Sequence, residues 1–322
     1  MEEKIVKVLN EMSEYLSIAQ MKKLQEVIVK TFAENEGTKT TISNDDFLKM
    51  FLAAKKVEGC SERTIRYYQV TVEHMFTRID TAVRKITTEE IREYLAGYQK
   101  RNGCSNVTVD NIRRNISSFF SWLEEEDYIL KSPMKRIHKI KTKTVVKNVI
   151  SDEGIEKLRD NCQNIRDLAM IDLLYSTGIR VGELVNLNID DIDLDGRECV
   201  VYGKGDKERR VYFDAKAKVH LKNYIDSRDD DNEALFVTLD SPHARLKISG
   251  VEIRLRQLGR RLNLDRVHPH KFRRTMATRA IDKGMPIEQV QKILGHSQID
   301  TTMQYAMVYQ ANVKTSHQRY MT

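Results

Sequence analysis

A mainly α fold with one small β-sheet is the class this sequence predicts, arranged as a helical domain followed by a mixed α/β domain. Only 4 prolines and 14 glycines interrupt 322 residues, which leaves room for long helices. Apolar residues recur at three- and four-residue spacing along most of the chain. Two short runs between residues 198 and 213 read instead as strands, separated by a glycine-rich turn. With 40% hydrophobic and 31% charged residues, the chain has apolar material for about two cores of ordinary size.

The elements follow in order. Ile5, Val8, Leu9, Met12 and Leu16, then Met21, Leu24, Ile28 and Phe32, predict helix over 1–34. Residues 1–38 form an N-terminal extension that is mildly acidic, with seven Glu against five Lys. Glu34-Asn35-Glu36-Gly37-Thr38 breaks it from the next part. A helical domain is expected over 43–130, with helices at 45–57, 61–79, 88–101 and 107–125. Ser61 and Thr88 serve as N-caps, and Gly59 and Asn102-Gly103 as separators. Short connections of this kind predict antiparallel neighbours in a small bundle.

Residues 131–148 change character. Lys131, Lys135, Arg136, Lys139, Lys141, Lys143 and Lys147 occur there with no acidic residue, one proline and no helical period. The stretch reads as a linker. Its charge leaves two possibilities, a solvated basic loop or a strap along a phosphate backbone, where each neutralised phosphate releases counterions.

A second domain is expected over 149–322. Helices are predicted at 151–161, 166–176 and 181–188, then strands at 198–202 and 209–213 joined by Gly203-Lys204-Gly205-Asp206-Lys207. Further helices follow at 216–227, 249–262, 271–283 and 286–294, with Gly284 and Gly295 as stops. There is no internal repeat.

Composition narrows the function. The formal net charge of +7 favours an anionic partner. Cys60, Cys104, Cys162 and Cys199 are scattered, with no paired spacing, which predicts reduced thiols rather than a disulfide framework or zinc site. No apolar run approaches the roughly 18 residues of a membrane span, and the first residues lack a secretory apolar stretch. A soluble cytoplasmic protein is expected, without membrane association. Phosphate-loop, dinucleotide, zinc-protease and serine-elbow motifs are all missing, as is an acidic cluster suited to two metal ions.

What stands out instead is a set of cationic and imidazole groups at element ends. Arg180 follows a Thr-Gly turn, which would hold its guanidinium at the mouth of a helix pair. His270 and Arg273 lie three apart at a helix start and share a face. His296 follows the Gly295 stop, and Tyr305 comes nine residues later. Singly, each of these is an ordinary surface or core residue.

In order they are more specific. Thr177-Gly178-Ile179-Arg180-Val181-Gly182-Glu183-Leu184, then Gly203-Lys204-Gly205-Asp206-Lys207-Glu208-Arg209, His270-Lys271-Phe272-Arg273, Leu294-Gly295-His296 and Tyr305 together resemble the tyrosine recombinase, or phage integrase, family. Thr64 to Tyr68, and Phe119-Phe120-Ser121-Trp122-Leu123 leading to Ser132-Pro133, resemble that family's core-binding helical domain. The resemblance implies a two-domain clamp on double-stranded DNA, with a tyrosine-recombinase catalytic domain over 149–322. It implies strand cutting and rejoining through a 3′-phosphotyrosyl bond and a Holliday junction, by a homo-tetramer on paired half-sites, with no cofactor, metal or ATP. Tyr305 would be the nucleophile, Arg180 and Arg273 the phosphate-oxygen ligands, and Lys204 the donor to the departing 5′-oxygen. His270 would serve acid–base chemistry, His296 would donate to the phosphate, and Glu183 would support the site. The expected DNA contacts are Arg66 and Arg113 in the helical domain and Lys135, Lys139, Lys141 and Lys143 in the linker.

The chain departs from the family pattern in two places. Arg274 stands where many relatives have His, and the acidic extension has no counterpart in minimal members, which makes residues 1–34 a candidate surface for an accessory protein rather than a DNA reader. A type IB topoisomerase, a catalytically silent DNA-binding regulator and an RNA-binding protein remain as competing readings. The chemistry favours the recombinase. Attack on a phosphodiester develops charge on its equatorial oxygens, which fixed guanidiniums meet with bidentate bonds. A tyrosine with an ordinary pKa of about 10 needs such a cationic site, or a base nearby, to become nucleophilic.

Overall fold

Hydroxyl side chains set where the helices of the first unit begin. The computed structural model describes residues 9–13, 15–33, 42–142, 148–203, 208–296, 298–303, 317 and 321. Its two units cover residues 1–144 and 145–322. In the first, α1 (Ile18–Ala33) starts at Ser17, whose backbone N–H donates to Gln20 Oε1 at 3.0 Å while its hydroxyl bonds the same oxygen at 2.9 Å. The helix expected across 1–34 is therefore interrupted. Residues 9–12 are helical, Ser13 Oγ donates to Asn10 O at 2.7 Å, and the chain re-enters helix only after the Ser17–Gln20 box.

Helices α2 (Asn44–Val57), α3 (Glu62–Phe76), α4 (Thr88–Asn102) and α5 (Asn106–Glu125) start at Ser43, Ser61, Thr87 and Ser105. Each cap accepts a bond from a backbone N–H three residues on. The cap of α4 is Thr87 rather than Thr88, because only from 87 does the three-residue step land on Glu90, whose carboxylate returns to the Thr87 N–H at 2.7 Å. Gly103 then closes α4 in the left-handed conformation, φ 55°. The inward faces bury Phe47, Phe51, Val72, Met75, Ile116, Phe119 and Leu123, and Phe51 meets Phe119 edge-on at 5.3 Å.

The basic stretch does not leave this unit at residue 130. Ser132 caps a 3₁₀ turn over Pro133–Arg136, and Met134 is buried in the helical core with Ile137 and Ile140 against it. Thr88 Oγ1 donates to Pro133 O at 2.8 Å, and Asn106 Nδ2 to Lys141 O at 3.0 Å. The backbone through residue 141 is thus laid along the bundle, and its apolar residues, sparse as they are, hold it there.

The second unit is built round α7 (Ile165–Thr177), in which Ala169, Met170, Ile171, Leu173 and Leu174 are all fully buried. Before it lies α6 (Asp152–Asp160), and after it α8 (Val181–Asn186). The strands β1 (Ile192–Asp193), β2 (Glu198–Tyr202) and β3 (Glu208–Tyr212) form an antiparallel sheet in the order β1-β2-β3, with Val201 opposite Arg209. Strand β1, too short to carry an alternating pattern, went unseen in the sequence. The remaining helices are α9 (Ala215–Asp226), α10 (Ile248–Arg261), α11 (Pro269–Asp282), α12 (Ile287–Leu294) and α13 (Ile299–Met303). Helices α9 and α11 pack on α7, closing the core of this unit. No helix among the described residues is long and apolar enough to cross a membrane.

Candidate active site

The C-terminal end of α12 organises the site. A helix leaves its last carbonyls without intrahelical partners and concentrates negative partial charge there. At α12 the amides of Gly295 and His296 take the Lys292 and Gln291 carbonyls, at 3.1 and 3.2 Å. The next three carbonyls are each met by a different arginine. Arg209 Nε donates to Ile293 O at 3.0 Å, Arg273 Nη2 to Leu294 O at 2.5 Å, and Arg180 Nη2 to Gly295 O at 3.1 Å.

Local structure aims each guanidinium. Gly178 ends α7 in the left-handed region (φ 64°), and two residues later Arg180 turns extended as the N-cap of α8. The Arg180 N–H donates to Glu183 Oε2 at 2.7 Å and its Nη1 to Oε1 at 2.8 Å. The Arg180 side chain is 43% exposed, whereas that of Glu183 is 4% exposed, so the cation faces outward on a buried acid. Arg273 is 2% exposed in α11 and joins the ends of two helices, its Nη1 donating to Gly178 O at 2.8 Å. Arg209 reaches in from β3 and grips Glu183 with both nitrogens, at 2.6 and 2.7 Å.

Burial alone would raise the Glu183 pKa. The bonds from Arg209 and Arg180 outweigh it and hold the carboxyl below its usual range. The acid is ionised at neutral pH, and three guanidiniums against one carboxylate leave the cluster at a net +2.

The histidines lie beside this charge. His296 Nδ1 is 2.8 Å from Thr302 Oγ1, and its carbonyl accepts from Gln291 Nε2 at 3.0 Å. Burial first, and then the charges of Arg273, Arg180, His270 and Arg209, lower its pKa from 6.5 to about 4. The ring is therefore neutral at pH 7, with one N–H to give. His270 sits exposed in the first turn of α11, behind Pro269, and adds to the field on His296. His268, the N-cap of α11, also has a lowered pKa, through burial and then Arg274 and Lys271.

Of the residues singled out in the sequence, Arg180, Glu183, Arg273 and His296 are brought to one place, with His270 in the same electrostatic neighbourhood. Lys204 and Tyr305 lie outside the described residues. So does Lys143. Arg66, Lys139 and Lys141 are exposed, and Lys135, also exposed, is paired with Glu124. Arg113 is largely buried, its Nε on Asp110 Oδ1 at 2.8 Å, and that oxygen also accepts from Ile140 N–H at 3.0 Å. Two residues of the site were missed. Arg209 stands in the quoted hairpin motif but its partners are distant in sequence, and buried Thr302 gives no local signal. The inward register of Arg209 beside Val211 in β3 was the one available hint. Among the described residues, no group of His, Cys, Asp and Glu is placed to hold a metal ion.

Comparison with known proteins gives this arrangement its relatives. The profile of the phage integrase family matches residues 148–312, and that of the phage integrase N-terminal SAM-like domain matches 47–130. Tyrosine recombinase XerC of Leptospira interrogans is 31% identical over 292 residues, which cover 86% of this chain and 93% of that protein. The Tn1549 transposon integrase, solved with a circular intermediate DNA, shares the fold at a TM-score of 0.71 and 18% identity, covering 85% of this chain and 98% of that one. XerH site-specific recombinase, solved after cleavage of its difH substrate, shares it at 0.68 and 20% identity, covering 87% and 85%. A profile spanning more than half the sequence, together with a relative nearly a third identical along most of both chains, settles the kinship: this chain belongs to the phage integrase family of tyrosine recombinases.

Proposed function

We propose that this tyrosine recombinase cuts and rejoins double-stranded DNA at specific sites with Tyr305 as nucleophile and the α12 arginine cluster as its phosphate clamp. One observation carries the reading. Three guanidiniums converge on a single helix C-terminus, with net charge +2 after Glu183. A phosphodiester brings one negative charge, and a pentacoordinate transition state carries two, so the cluster matches the transition state better than the ground state.

Tyr305 attacks the phosphorus, the bond to the 5′-oxygen breaks, and a 3′-phosphotyrosine forms that conserves the energy for rejoining. Arg180 and Arg273 hold the nonbridging oxygens. His296, neutral beside them, donates one hydrogen bond without adding charge. Lys204 protonates the departing oxygen, and His270 serves proton transfer at the exposed edge of the site. Exchange of two strands gives a Holliday junction, which requires four protomers on paired half-sites. The charge in the clamp comes from the protein, so the reaction uses neither metal nor ATP. Exposed Arg66, Lys139 and Lys141 are proposed DNA-backbone contacts, and residues 1–34 a surface for an accessory protein in the cytoplasm or on the nucleoid.

The test is covalent trapping on a nicked suicide duplex. The wild type should form a DNA-linked species in EDTA, and Tyr305→Phe should form none while binding DNA normally. Trapping that survives in Tyr305→Phe, or that stops in EDTA and returns with Mg²⁺, would overturn the mechanism.

A further inference from the structure

We propose that Asp110, an acid set beneath a basic segment, is a positioning residue for DNA binding: with Asn106 it fixes the backbone of residues 136–141 so that Lys139 and Lys141 are held ready for DNA phosphates. The proposal rests on the reading of these two lysines as DNA-backbone contacts and adds two residues that place them without touching DNA.

Past the 3₁₀ turn at Pro133–Arg136, residues 137–142 lie in no helix or strand, so their backbone groups need other partners. Side chains of two helices supply them. From α4, Thr88 Oγ1 donates to Pro133 O at 2.8 Å and Arg92 Nη2 to Arg136 O at 3.2 Å. From α5, Asp110 Oδ1 accepts from the Ile140 N–H at 3.0 Å, and Asn106 Nδ2 donates to Lys141 O at 3.0 Å. The two α5 residues thus grip the dipeptide Ile140-Lys141 at its first N–H and its last carbonyl. Asn106 is itself steadied by Gln99, whose Nε2 donates to its Oδ1 at 2.7 Å. With the backbone held in this way, Ile137 and Ile140 pack against the helical core while Arg136, Lys139 and Lys141 stay exposed.

The charge of Asp110 makes the role testable. The residue is 8% exposed, and the oxygen that takes the Ile140 N–H also takes Arg113 Nε at 2.8 Å. Burial would raise its pKa, but the bonds from Arg113 and Ile140, with the charges of Arg113 and Lys139, hold the carboxyl below its usual range. An ionised acid therefore sits in the field of Lys139. As a bare charge it should weaken the binding of a polyanion. As a tether it should strengthen that binding, because an ordered segment has less backbone freedom to lose when DNA arrives. The two roles predict opposite signs. Arg113, singled out in the sequence as a DNA contact, then serves the DNA through Asp110 by holding the acid in place.

The experiment measures, by fluorescence anisotropy, the affinity of the full chain for a labelled random-sequence duplex of about 30 base pairs in about 100 mM salt, since phosphate contacts do not depend on sequence. Asp110→Ala and Asn106→Ala are each compared with the wild type, and again in a background carrying Lys139→Gln and Lys141→Gln. Asp110→Ala should bind about tenfold more weakly despite its added positive charge, the cost of ordering about one residue of backbone on binding. Asn106→Ala, which changes no charge, should shift the affinity in the same direction. In the double-glutamine background either alanine should change affinity by less than about twofold, because a tether acts only through the lysines it places. Tighter or unchanged binding by Asp110→Ala would overturn the proposal and leave the lysine contacts standing. An equal loss in both backgrounds would also overturn it, as that is the mark of a merely structural acid. A double-glutamine protein that binds like the wild type would remove the phosphate contacts themselves, and the proposal with them. Should Asp110→Ala melt below the assay temperature, Asn106→Ala, at an exposed position, carries the comparison alone.

Discussion

Protonating His296 should destabilise the folded chain over a defined pH window. Its pKa is 6.5 ordinarily and about 4 in the folded protein, so between those values the unfolded chain binds the proton and the folded chain does not. A depressed folded pKa means that stability is fully present above pH 6.5 and drains away as the pH falls towards 4. At about 1.4 kcal/mol per pH unit the window amounts to about 3 kcal/mol, and partial access of solvent to the ring reduces that to roughly 2 kcal/mol. His296→Asn keeps a polar atom facing Thr302 and removes the titration. Denaturant unfolding of both proteins from pH 7.5 to 4.5 isolates the effect, since the other titrating groups are common to both. The wild type should lose roughly 2 kcal/mol more than the variant over that range. Parallel curves would show that burial and the neighbouring guanidiniums do not hold this ring neutral.

Three further outcomes follow from the same geometry. Arg273→Ala should slow cleavage by about 100- to 1000-fold, the loss expected from deleting one preorganised oxyanion contact, and a single-turnover rate within tenfold of wild type would contradict its role. Gly295→Ala forces a side chain into φ 62° against the Arg209 stem and should cost at least about 1–2 kcal/mol by urea unfolding, so a loss under about 0.5 kcal/mol would show that the loop relaxes freely. Replacing Lys139, Lys141 and Lys143 with Gln should weaken specific and random DNA binding alike and lower the salt slope by about one per lost contact, whereas an unchanged slope would make the segment a spacer.

What the sequence conveyed about this molecule divides by range of interaction. Helices and their caps depend on neighbours three or four residues away, so the bundle and most boundaries could be read, including the Gly178 and Gly295 stops that frame the site. The misreadings are of the same local kind, such as Thr88 for Thr87 and a helix carried through Ser13–Ser17 where the Ser17–Gln20 box restarts it. The packing of 131–141 was hidden because charge dominates that stretch, while three apolar residues, Met134, Ile137 and Ile140, decide where it lies. The site was legible only as an ordered set of motifs. No local pattern announces that Arg209 will find Glu183, or that α12 will present its carbonyls to three arginines from separate elements.

That arrangement also explains how a site can be stable without DNA and still bind it. Arg180 and Arg273 are held by neutral carbonyls at Gly295, Leu294 and Gly178, not by carboxylates alone. Hydrogen bonds to an anionic oxygen are about twice as strong as those to a neutral one. In the proposed mechanism an arriving phosphate would outcompete the Gly295 carbonyl for the exposed Arg180 guanidinium, whereas the acid that could resist such an exchange, Glu183, is gripped from behind by Arg209. The carbonyls keep the arginines aimed, the buried acid keeps them ordered, and the net positive charge that remains is what the proposed phosphate would meet.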